Sequence, residues 1–118
     1  MEINIEVIIN KLEYKVNELT IRNAKLEKLG RIKDSLEATY RCELRKELLQ
    51  LSLNNTNVRG NGEIAQLRLN RDLAKIRYYL MKSSIENIKF EIEVLRSMLI
   101  WLRVEFSVIK GEDVTWLN

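Results

Sequence analysis

The residues of this chain best placed to do chemistry are five cations, Arg59, Arg68, Arg71, Lys75 and Arg77. They belong to a segment, residues 41–82, with nine basic side chains against four acidic ones, whereas the rest of the chain carries eleven basic and thirteen acidic. A cluster of that sign can neutralise phosphates or meet an acidic protein surface. The chain has no histidine and a single cysteine, which removes the usual zinc ligands, the commonest general base and the triad chemistries. No Walker loop, dinucleotide fingerprint, HExxH, EF-hand loop, CxxC or nucleophile elbow occurs. Gly60-Asn61-Gly62 shares only its two glycines with a phosphate-binding loop, and no strand precedes it. The expectation is a protein that binds and does not catalyse, with no cofactor and no metal. Cys42 reads as a buried structural thiol.

The elements that must position those cations are helical. With 118 residues, 46% hydrophobic and 31% charged, the chain has the size and composition of one ordered domain, and the absence of proline leaves almost nothing to interrupt a helix. From about 63 to 110 the residues Ile64, Leu67, Arg71, Ala74, Tyr78, Met81, Ile85, Ile88, Ile92, Leu95, Leu99, Leu102, Phe106 and Ile109 are spaced alternately by three and four. That is a coiled-coil seam, with Arg71 its one residue that is not apolar. A guanidinium there either pairs with Glu43 or Glu47 across a hairpin or marks where the seam opens to a ligand. A second row, Leu69, Leu73, Ile76, Leu80, Phe90, Val94, Trp101, Val104 and Val108, runs on nearly the opposite face. Between the rows stands a basic residue at every seventh position, Arg68, Lys75, Lys82, Lys89, Arg96, Arg103 and Lys110. Asp72, Glu86 and Glu93 precede three of these by three residues, the spacing of surface ion pairs, so the column reads as a solvated flank before it reads as a phosphate-binding stripe.

A first helix is expected over about 4–53. Its seam reads Ile5, Ile9, Leu12, Val16, Leu19, Asn23 and Leu26, although Ile3, Ile5, Val7 and Ile9 also alternate as a strand would. Asn23 is either a buried polar residue that sets register or a solvated one. Past Gly30 the row becomes Leu29, Ile32, Leu36, Tyr40, Leu44, Leu48 and Leu51, which predicts a kink or stutter near 30, or a short break into two helices. Residues 54–62, rich in Asn and Gly, are the turn of an antiparallel hairpin that places residue 30 opposite about 86. Gly111 stops the second helix, and 111–118 form an acidic tail whose Trp116 and Leu117 either pack back or serve a partner.

Two apolar faces on one helix need two partners. The economical assembly is a homodimer packed as a four-helix bundle, with Leu69, Leu73, Ile76, Leu80, Phe90, Val94 and Trp101 at the interface. The competing solution is a monomer in which the first helix folds back as two pieces. Three functions follow. The basic hairpin end can contact a protein or nucleoprotein, it can bind nucleic acid directly and without sequence preference, or the chain can be a structural, oligomerising coiled coil.

The run Arg59-Gly60-Asn61-Gly62-Glu63-Ile64-Ala65-Gln66-Leu67, followed by a heptad helix ending Leu95-Arg96-Ser97-Met98-Leu99, resembles the small uncharacterised coiled-coil proteins encoded in early regions of bacteriophages and prophages. Those have a Gly-Lys/Arg-Asn-acidic turn opening a helix with an Ala-x-Leu step. The likeness covers residues 57–110 and departs from the pattern at Gly62, where a charged residue is preferred. It implies a phage or prophage setting near replication, recombination or counter-defence genes and assigns no activity; the expected role in that setting is an accessory protein, an inhibitor for example, that engages a host or phage protein or nucleoprotein through the basic hairpin end. The N-terminus is acidic where a signal peptide is basic, and no run of about 18 apolar residues can span a bilayer, so the expected location is cytoplasmic, in the host if phage-encoded.

Overall fold

A computed structural model describes residues 4–54 and 62–110 of the chain. Every described residue after Asn4 lies in α1 (Ile5–Asn54) or α2 (Gly62–Lys110), so the protein is an all-α helical hairpin. The centre of the expected turn, with Arg59, and the expected tail, with Trp116 and Leu117, lie outside the described residues.

Local chemistry accounts for both helices. The Asn4 side-chain oxygen accepts the Val7 N–H at 2.8 Å, an N-cap of a kind typically worth about 1 kcal/mol. The stretch after it is helical, so the strand-like alternation of Val7 and Ile9 is coincidental. Glu27–Arg31 at 3.2 Å and Glu37–Arg41 at 2.7 Å add ion pairs one turn apart, with the acid N-terminal to the base as the helix dipole favours. Gly30 leaves α1 unbroken, and the first helix is not divided into two pieces that could cover both faces of α2.

The chain divides into two compact units, Met1–Asn23 with Ser84–Asn118, and Ala24–Ser83. In the first, Lys15 reaches Glu91 and Arg22 donates to the Ser84 hydroxyl. In the second, Gly30 and Lys33 face Tyr78, Glu37 faces Arg71 and Lys75, and Tyr40 faces Arg68. Later positions of α1 meet earlier positions of α2 in each, so each unit is an antiparallel pair. Ile8, Ile85, Ile88 and Ile92 are buried in the first unit, and Tyr40, Ile64 and Ala74 in the second.

The seam of α2 is the one its periodicity predicts as far as Leu102, with every member buried or half-buried; Phe106 is exposed. The seam of α1 is turned from the expected one. Both share Ile5, Leu12, Leu19 and Leu26, but Ile8, Lys15 and Arg22 face inward where Ile9, Val16 and Asn23 were expected, and the latter three are exposed. Farther along, Lys33 and Glu47 replace Ile32 and Leu48. The physical reason is that long charged side chains lay apolar stems along the seam and carry their heads to partners at its edge, as Lys15 does with Glu91.

The register also differs. Gly30 faces Tyr78 and not the region of residue 86, because a Cβ at Gly30 would lie 3.3 Å from Tyr78 Cε2. The shift of about eight residues carries the end of α1 roughly two turns past the start of α2. Leu48, Leu49 and Leu53 fall in that overhang and are exposed. Cys42, expected to be buried, is exposed as well.

Candidate functional site

The five expected cations do not form one open surface. Arg71 is held inside the second unit, its side chain only 19% exposed. Its Nε and Nη2 lie 3.0 and 2.9 Å from Asp72 Oδ1, its Nε is 3.5 Å from Glu37 Oε2, and its guanidinium carbon stands 4.3 Å from the centre of the Tyr40 ring. The bond to Asp72 raises its already high pKa further. The partner across the hairpin is thus Glu37, and neither Glu43 nor Glu47. Arg68 donates through Nε to the Tyr40 hydroxyl at 3.1 Å, and its guanidinium carbon is 5.6 Å from the same ring centre. Lys75 Nζ lies 3.7 Å from Glu37 Oε2, so it does not make the expected pair with Asp72. Arg77 is exposed and outside this cluster, and Arg59 lies outside the described residues.

Glu37 is the centre of the arrangement. Its Oε1 accepts from Arg41 Nε at 2.7 Å, while its Oε2 is buried with no hydrogen bond and is held by the nearby charges of Arg71 and Lys75. The Arg41 bond first, then the charges of Lys75, Arg41 and Arg71, lower its pKa against the opposing effect of burial. Slipping α1 by four residues, about one turn, would set Lys33 against Arg71, a like-charge contact, so the cluster disfavours that register. Glu37, Tyr40 and Arg41 were missed as partners because their spacing puts them together on α1 but says nothing of what faces them. Farther along the basic column, Lys89–Glu86 at 3.6 Å and Arg96–Glu93 at 3.2 Å are exposed ion pairs, as their spacing predicts.

The seven apolar candidates on the outer face of α2 are all exposed, from 40% for Leu73 to 69% for Phe90. Leu69, Leu73, Ile76 and Leu80 belong to the second unit, and Phe90, Val94 and Trp101 to the first. In the first unit this face joins α1. Val7, Asn10, Lys11 and Tyr14 together with Phe90, Glu91, Val94 and Leu95 line an open groove of about 790 Å³. Lys15 and Glu91, 2.5 Å apart, also line it, and the hydrogen bond between them raises the Lys15 pKa. The α1 wall was not anticipated, yet its signal is present: Val7 and Tyr14 are seven residues apart, and Ile21 repeats the interval beyond the groove.

Among the described residues no three acidic or cysteine side chains gather as metal ligands would, and no helix is long and apolar enough to cross a membrane. No family model, characterised protein or solved structure matches this chain.

Proposed function

We propose that this protein acts by binding other proteins and not by catalysis, as a homodimeric helical accessory protein whose hairpins pack into a four-helix bundle. The observation that carries the reading is the exposure of all seven outer-face residues of α2, from Leu69 to Trp101, on a helix whose other face is already covered. Large apolar side chains in a row at heptad spacing are what a partner helix covers. The basic hairpin end is a weaker contact, since Arg68, Arg71 and Lys75 are drawn onto Tyr40 and Glu37. A host or phage protein, in the setting that the resemblance of residues 57–110 implies, is the kind of target such a molecule would engage.

Sedimentation velocity from about 1 to 100 µM tests the assembly, and a labelled DNA duplex titrated at about 50 and 200 mM salt tests the rival reading. The proposal expects a dimer and no salt-steep DNA binding. A monomer throughout the range overturns the homodimer. Micromolar binding that collapses at the higher salt and weakens in Arg77→Ala would move the function to nucleic acid.

A further inference from the structure

We infer that a second copy of this chain seats on the groove of the first unit, groove against groove about a two-fold axis, with Tyr14, Phe90 and Val94 at its centre and the exposed Trp101, one heptad beyond Val94 on α2, extending the contact. The inference rests on the homodimer proposed above and narrows its interface from the whole exposed row of α2 to the part that belongs to the first unit.

Three observations favour this surface. The first is that both helices supply it. On α1 it is lined by Val7 and Tyr14, and the exposed Ile21 continues their interval of seven beyond it, whereas the same positions along the second unit are Lys28, Ser35 and Cys42. The second is area. Tyr14, Phe90 and Trp101 are 66, 69 and 68% exposed. For aromatic side chains of roughly 150–250 Å² that is on the order of 400 Å², and Val7, Ile21 and Val94 raise the apolar total to roughly 600 Å². A homodimer interface about 65% apolar then covers roughly 900 Å² per copy, against the ~800 Å² that a stable interface of standard size needs. The third is charge. An isologous contact places like with like near its axis, so a groove of one sign repels its own copy. This groove carries Lys11 at its rim and a Lys15–Glu91 pair that is already closed, so no uncompensated run of charge opposes self-docking.

Trp101 reports the contact without a change to the face. In Trp116→Phe it is the one remaining tryptophan, and its emission should shift to the blue and lose most of its iodide quenching as the protein is concentrated through the dimer transition. Phe90→Glu should weaken dimerisation by about 100-fold or more, as loss of a central aromatic anchor does, whereas Ile76→Glu in the second unit should change it by less than about threefold. If the protein is dimeric but Trp101 stays quenchable and Ile76→Glu is the variant that dissociates it, the groove is not the interface, although the homodimer stands. If the unsubstituted protein never dimerises, both fail. The Trp101 arm decides the matter even where Phe90→Glu does not fold.

Discussion

The guanidinium of Arg71 lies over the Tyr40 ring, its central carbon 4.3 Å from the ring centre, and Arg68 approaches the same ring and holds its hydroxyl at 3.1 Å. A buried tyrosine on α1 is thereby clasped by two cations of α2. Tyr40→Ala should lower stability by about 3–5 kcal/mol, the range for removing a large buried aromatic side chain, and Tyr40→Phe by about 1 kcal/mol, the worth of one hydrogen bond. Urea denaturation at fixed protein concentration separates the two. Equal losses would mean that the hydroxyl, and not the ring between the cations, holds this part of the hairpin.

Glu37 makes the fold sensitive to acid. Its folded pKa is lowered by Arg41, Lys75 and Arg71, so its contribution is complete above the ordinary glutamate value and is lost as pH falls through the lowered one. The denaturation midpoint of the protein should therefore fall more steeply on acidification from about pH 5 to pH 3 than that of Glu37→Gln. Parallel curves for the two proteins would show that Glu37 does not feel its three cations.

Ile8, 1% exposed, and Ile9, 36% exposed, are adjacent residues of one type with opposite fates. Ile8→Ala should lose about 2–5 kcal/mol and Ile9→Ala less than about 1 kcal/mol in the monomeric hairpin. The reverse order would restore the α1 seam that runs through Ile9 and Val16.

Gly30 packs beneath Tyr78. Alanine there gains helix propensity of about 1 kcal/mol, while its Cβ would stand 3.3 Å from the edge of a half-buried ring that can yield by a few tenths of an ångström. The net should be a gain of about 0.5 kcal/mol for Gly30→Ala and a loss of about 1–3 kcal/mol for Gly30→Val, whose added methyl groups overfill the contact. Thermal melts of the two variants check the change of sign. A large loss with alanine would mean that the backbones cannot separate at all.

What the sequence determined by itself is the helical class and the buried face of α2. Its seam is apolar at nearly every third and fourth position, and a covalent pattern of that regularity dictates which side of a helix seeks cover. The outer row of α2 was legible for the same reason. The face of α1 was not, because two alternations of three and four share Ile5, Leu12, Leu19 and Leu26 and differ only in taking Ile8, Lys15 and Arg22 or Ile9, Val16 and Asn23. Hydropathy favours the second set. The tertiary structure takes the first, since Glu91 and Ser84 stand where Lys15 and Arg22 can reach them. The same cause moved Arg71 from a candidate contact into the fold. Whether a charge on a helix is free or spent depends on what lies across from it, and that is set by register, a relation between two helices that neither one's sequence contains.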